Sequence, residues 1–209
     1  MTYYATLSGV ISAVPPTKAP ISTPELLAAA SASATQSDIA TSLATVGEND
    51  FLCALIGTRD GSDDIDRHLS LTPSEWSATF DRRANLGQYD DRARTYIRGS
   101  IWTAVASRAG TGILTANMDQ RTWQQVCILL KLPGVVAYQT HAEDSNQRGS
   151  TLSVAWPSGP KPPAPAAEGI TIAFMLKEGK GRTPALDGDF TPIPAAGGSA
   201  SQFEWEVWY

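Results

Sequence analysis

Tyr89-Asp90-Asp91-Arg92-Ala93-Arg94-Thr95-Tyr96-Ile97-Arg98 is the stretch on which the reading of this 209-residue chain turns. Continued over residues 89–108 as a helix, it sets Ala93, Ile97, Ile101, Ala104 and Val105 at helical spacing, as an apolar stripe. Asp90, Arg94 and Arg98 fall four apart on another face. Asp90 stands N-terminal to Arg94, the favourable order for a helical ion pair. Gly110-Thr111-Gly112 then stops the helix.

The flanks support the same reading. Thr72-Pro73-Ser74-Glu75 has the form of a capping box with proline at the first helical position, and Trp76 and Phe80 follow four apart. Gly87 is the expected end of that helix. Asp119 opens a further helix with Trp123, Val126, Cys127 and Leu130 on one face, closed by Pro133-Gly134. Upstream, Thr23-Pro24-Glu25 starts a helix running to Ala32. Ser37-Asp38 starts another, carrying Ile39, Leu43 and Val46. A short third covers residues 50–56 and ends at Gly57.

Outside this region the pattern changes. Residues 3–14 alternate weakly and suit a strand, followed by Pro15-Pro16 and Pro20, which hold the backbone extended. Val135-Val136-Ala137-Tyr138 and residues 151–156 read as short strands, with a polar turn region over 141–149 between them. Pro157-Ser158-Gly159-Pro160-Lys161-Pro162-Pro163-Ala164-Pro165 reads as a stiff extended linker. Ile170-Thr171-Ile172-Ala173-Phe174-Met175-Leu176 is the clearest strand of the chain. Phe203-Glu204-Trp205-Glu206-Val207-Trp208-Tyr209 alternates apolar and acidic residues and must bury one face, against the Ile170 strand or against a neighbouring subunit.

Charge is uneven. Residues 1–70 carry a net −5, residues 71–131 a net +3 and residues 132–209 a net −3, for a total of −5. Seven of the eight central cations are arginines, whose planar fork suits phosphate or carboxylate. The pI near 5 argues against a free-standing nucleic-acid binder, though not against an assembly with one basic lining. Charged residues make up 18%, below the usual ~25%. Cys53 and Cys127 both lie in apolar surroundings and read as buried free thiols. No basic region precedes an apolar run at the N-terminus, and no apolar stretch suggests a membrane span, so neither a secretory leader nor a membrane partner is expected.

The chemistry of known catalytic motifs is missing. His68 and His141 lie in no serine or cysteine nucleophile motif, and there is neither Cys-x-x-Cys nor His-Glu-x-x-His. The loop Asp60-Gly61-Ser62-Asp63-Asp64-Ile65-Asp66 has alternating oxygen ligands, but Ile65 stands where a calcium loop needs glycine and Leu71 where it needs glutamate. Gly179-Lys180-Gly181-Arg182-Thr183 lacks phosphate-loop spacing and reads as a hairpin turn or loop. No catalytic residue, metal or cofactor is therefore expected, and the chain is not read as an enzyme.

Asp90-Asp91, then Ile97-Arg98 with Ile101, closed by Gly110-Thr111-Gly112, resembles the helical segment of tobamovirus-type coat proteins of rod-shaped plant viruses. Trp156-Pro157-Ser158-Gly159-Pro160 is similar to that family's C-terminal end. The N-terminal third shows no such match, and residues 161–209 extend past the family's usual end. The resemblance implies a four-helix bundle whose acidic–arginine run faces RNA, with Arg92, Arg94 and Arg98 on the RNA backbone.

The expected fold is α+β: an extended arm over residues 1–21, a helical bundle over 22–132, a short, mostly antiparallel β region over 133–156, a proline-rich linker over 157–169 and a C-terminal β segment and arm over 170–209. The expected function is a viral coat or capsid protein that self-assembles and packages RNA, made in the host cytoplasm and found in the virion. Arg82, Arg83, Arg92, Arg94 and Arg98 are the candidate nucleic-acid contacts. Tyr3, Tyr4, Phe203, Trp205 and Trp208 are the candidate subunit contacts. Two alternatives stand beside it: a cement or tail-type structural protein without nucleic acid, and a small soluble enzyme or regulatory domain.

Overall fold

A computed structural model describes residues 3–12, 22–33, 35–61, 68–90, 94–135, 137, 140–146, 169–178, 190–201 and 203–209. The expected strand at 151–156, the proline-rich linker, the loop at 179–183 and most of the acidic loop lie outside these residues. Among the described residues the chain is β throughout, with one 3-10 turn, Pro194–Ala196, and no α-helix. The expected helical bundle is thus overturned.

The strands fall into three layers, and every pairing is antiparallel. The central sheet holds β2 (Glu25–Ala32), β12 (Gln124–Lys131), β5 (Phe51–Asp60) and β9 (Thr95–Arg108), in that order. Both β7 (Ser77–Ala78) and β8 (Asp81–Asp90) pair with the far side of β9. The back layer is β3 (Gln36–Ala40), β11 (Leu114–Thr122) and β6 (His68–Pro73), beside the small pair β4 (Ala44–Val46) and β10 (Gly110–Gly112). The front sheet runs β13 (Thr140–Asn146), β1 (Tyr3–Ser12), β14 (Gly169–Glu178), β16 (Phe203–Trp208) and β15 (Gly198–Ala200). Both ends of the chain therefore build the front sheet, while residues 25–131 build the other two layers. The polar stretch expected as a turn at 141–149 begins instead with β13, which pairs with β1.

Two cores hold the layers together. Facing the front sheet, Phe51, Cys53 and Leu55 of β5 and Val126, Ile128 and Leu130 of β12 pack against Ile172, Phe174, Leu176, Phe203 and Trp205. Facing the back layer, Leu52, Ala54, Ile56, Cys127 and Leu129 pack against Ile39, Leu71, Leu114 and Ala116. Cys53 and Cys127 thus lie on opposite faces of the central sheet. Both are free and buried, and burial pushes each thiol up to about 12.

This two-sided burial explains the failed helix expectations. β5 is buried at all ten positions and β12 at all but its last, so neither shows the period-2 alternation of a half-exposed strand. Spacings of four, such as Ile97 and Ile101, are even and share a strand face as well as a helix face. The alanine-rich β2 has good intrinsic helix formers. Helix propensities differ by only ~0.7 kcal/mol per ordinary residue, whereas burying one large apolar side chain contributes about 1.5–3 kcal/mol. Packing decides.

Two glycines read as helix stops have other work. A Cβ at Gly57, in the middle of β5, would lie 2.8 Å from both Leu176 Cδ2 and Val126 Cγ1, so this glycine lets the front sheet approach. A Cβ at Gly110 would lie 2.3 Å from the Glu75 carbonyl oxygen, which no side-chain adjustment relieves.

Candidate functional site

Polar residues gather at one end of the central sheet, where β5 ends and β9 and β12 begin. Successive residues of a strand point to opposite faces, and here each neighbour reaches a different layer. Arg59 points forward: its Nε and Nη2 donate to Glu178 Oε1 of β14 at 2.8 and 2.5 Å. Thr95 of β9 donates to Glu178 Oε2 at 2.5 Å. Thr58 points back, its hydroxyl 3.0 Å from Nε2 of His68 on β6. Gln124 Nε2 donates forward to the Ala200 carbonyl at 2.6 Å, and Gln125 Nε2 donates back to the Gln36 carbonyl at 2.6 Å. The polar end thus ties the central sheet to both outer layers.

A buried serine–histidine pair belongs to the same network. Ser100 Oγ lies 2.7 Å from His68 Nδ1 and accepts a hydrogen bond from Trp102 Nε1 at 2.8 Å. Ser100 is 0% exposed and His68 3%. A nucleophile must meet its substrate, and this hydroxyl is enclosed, so the pair serves to join β6 to β9. Among the described residues no group of three or more histidine, cysteine or carboxylate side chains could hold a metal ion, and no helix is long and apolar enough to cross a membrane.

The described candidate arginines, Arg82, Arg83, Arg94 and Arg98, do not line one surface. Arg82 is exposed and lies on the back face of β8, its guanidinium 5.5 Å from the Trp102 ring and Nη1 donating to the His68 carbonyl at 3.1 Å. Arg83, its neighbour, turns to the front face, donating to Thr103 Oγ1 at 2.8 Å and to Asp81 at 2.9 Å. Arg94 is exposed in the connection from β8 to β9, with φ at 52°. Arg98 is only 7% exposed, with Nη1 donating to Asn85 Oδ1 and Nη2 to the Tyr96 hydroxyl. Arg92 lies outside the described residues. A helix would have collected Arg94 and Arg98 on one stripe. The strand buries one and leaves the other at a turn.

Phe203, Trp205 and Trp208, three of the candidate subunit contacts, are buried. Phe203 and Trp205 belong to the core between the front and central sheets. Trp208 packs with Ala173 and Met175 on the other face of the front sheet. Tyr3 and Tyr4 sit on β1, whose backbone pairs with β14 and β13.

Two surface features escape the sequence reading. One is β2, the outermost strand of the central sheet, Glu25-Leu26-Leu27-Ala28-Ala29-Ala30-Ser31-Ala32, with a single charge at its start. Its alanines conceal it as a strand. The other is an open cleft of about 400 Å³ beside β15, lined by Pro192, Ile193, Pro194, Gly197, Gly198, Ser199, Glu204, Trp205 and Glu206. Its only sequence signal is the closeness of proline, a Gly-Gly-Ser run and alternating acids.

No family model, curated protein or solved structure matches this chain. The functional reading therefore rests on these surfaces alone.

Proposed function

We propose that this chain is a structural protein of the cement or tail type, which joins other subunits through its sheet edges and carries no nucleic acid. The dispersal of the arginines carries this reading. A phosphate backbone is held by several cations on one continuous surface, whereas Arg82 and Arg83 face opposite ways and Arg98 is buried. The net charge of −5 points the same way. In β2 the chain has an edge strand that carries little of the charge by which soluble proteins block edge pairing.

Light scattering after size-exclusion chromatography, with the 260/280 nm absorbance ratio, tests this on protein from its native source. The expected result is a large particle without nucleic acid. Replacing the exposed Ser31→Lys should dissolve it by placing a charge on the β2 edge. A large particle with a nucleic-acid absorbance ratio would restore the RNA-packaging coat protein. A stable monomer at high concentration would sink both.

A further inference from the structure

We infer that the outer edge of β2 pairs with the same edge of a second copy of this chain, antiparallel and centred on Ala30. This names the partner within the assembly reading above and rests on it.

Among the described residues β2 ends the central sheet, so alternate backbone N–H and C=O groups point away from β12 to the open side. Other described edges are guarded. β3 carries Asp38, β13 carries Glu143 and Asp144, and β6 ends at Pro73. Charge and proline are devices against edge pairing. β2 has only Glu25, at its start, and one bulge: Leu26 pairs with Leu130 and Ala28 with Leu129, which leaves Leu27 extra. Beyond the bulge, residues 28–32 pair one to one with β12. The regular, uncharged edge is that segment, and Ala30 is its centre.

Strand addition takes affinity from main-chain hydrogen bonds and specificity from pockets for alternate side chains. This edge offers methyl groups and one hydroxyl, so it selects a partner by smallness, and β2 itself is such a partner. Ala28, Ala30 and Ala32 lie toward the back layer and Ala29 toward the front. Antiparallel pairing centred on Ala30 sets Ala30 against its own copy, Ala28 against Ala32, and Ala29 against Ser31. These small side chains lose little rotamer entropy on burial. Any other register pairs fewer residues or runs onto the bulge. Parallel pairing in register would set Glu25 against Glu25. The antiparallel pair holds them about 30 Å apart at ~3.4 Å per residue, well beyond the Debye length. Leu43 extends the contact. It is 68% exposed and precedes β4, whose Ala44 shares a core with Ala28. A second molecule on the β2 edge accounts for both the unguarded strand and the bare leucine beside it.

The test is disulfide bridging in the full chain. Facing Cα atoms in an antiparallel pair lie about 4.5–5.5 Å apart, within reach of a disulfide. Cys53 and Cys127 are buried and do not compete. Under copper–phenanthroline oxidation, Ala30→Cys should form covalent dimers roughly tenfold faster than Glu25→Cys, because pairing raises the effective concentration only near the centre. Adding Ser31→Lys to Ala30→Cys should remove that advantage. Independently, a mixture of Ala29→Cys and Ser31→Cys chains should bridge where neither does alone, so a folding defect in Ala30→Cys cannot decide the matter. Equal rates for Ala30→Cys and Glu25→Cys would overturn the inference. If the unaltered protein forms a large particle but neither Ala30→Cys nor the mixture bridges, the β2 pairing falls and the assembly reading stands. A stable monomer at high concentration overturns both.

Discussion

β5 and β16 are both buried strands, yet only β16 looks like one in the sequence. β16 alternates, with Phe203, Trp205 and Val207 buried and Glu204 and Glu206 half-exposed. β5, Phe-Leu-Cys-Ala-Leu-Ile-Gly-Thr-Arg-Asp, is covered by the front sheet on one side and the back layer on the other. Alternation is a record of one-sided burial and vanishes in a middle layer. β5 further divides into an apolar half that packs and a polar end, from Thr58 to Asp60, that hydrogen bonds outward. The apolar half supplies most of the burial. The polar end sets how the layers align.

The sharpest way to break that contrast is at the buried Arg59–Glu178 pair, whose side chains are 10% and 7% exposed. Glu178→Gln breaks the buried ion pair between the layers, a change that costs about 3–5 kcal/mol in buried pairs. Urea unfolding should show that loss. Because replacing both members of such a pair by apolar groups is often neutral or better, Arg59→Met with Glu178→Leu should recover most of it. A loss under about 1 kcal/mol, the range of exposed pairs, would mean that the polar end does not hold the layers.

A smaller effect is expected in the apolar half, at Gly57→Ala. The added methyl meets Leu176 and Val126 at 2.8 Å and Phe203 at 3.1 Å, and overpacking of this kind costs roughly 1–3 kcal/mol. Thermal unfolding would measure it. If Gly57 merely ended an element at the surface, the substitution would be neutral or stabilising through the unfolded chain. A neutral result would therefore deny the close approach of the front sheet.

These residues show what the sequence discloses. The strands Tyr3–Ser12, Gly169–Glu178 and Phe203–Trp208 are legible, because each has alternation or a β-branched apolar run bounded by polar residues. The central and back layers are not. Ile97 and Ile101, four apart, satisfy both periods, and Thr72-Pro73-Ser74-Glu75 has the form of a helix cap but carries the chain out of β6. The informative signal was composition: Thr95-Tyr96-Ile97 and Ile101-Trp102-Thr103 are β-branched and aromatic, and Gly99 lies where a helix would be weakened. The arginine site failed for the same reason as the helix. Residues four apart on a helix share a solvent-facing stripe, but Arg94 and Arg98 here fall on a turn and on a buried strand face.

The smallest predicted effect separates those two accounts of Arg94. Its φ of 52° is a left-handed conformation that costs a residue with a Cβ about 1–2 kcal/mol and costs glycine almost nothing. Against this, glycine loses more freedom on folding than arginine does, by roughly 0.5–1 kcal/mol. Arg94→Gly should therefore stabilise the chain by at most about 1 kcal/mol, read as a rise in the urea midpoint at constant slope. It should leave any assembled particle intact, because one exposed cation does not hold phosphate against a net charge of −5. If the substitution instead removes nucleic acid from a native particle while the isolated chain remains folded, Arg94 is a backbone contact. Its strained conformation would then be maintained for binding, not tolerated at a turn.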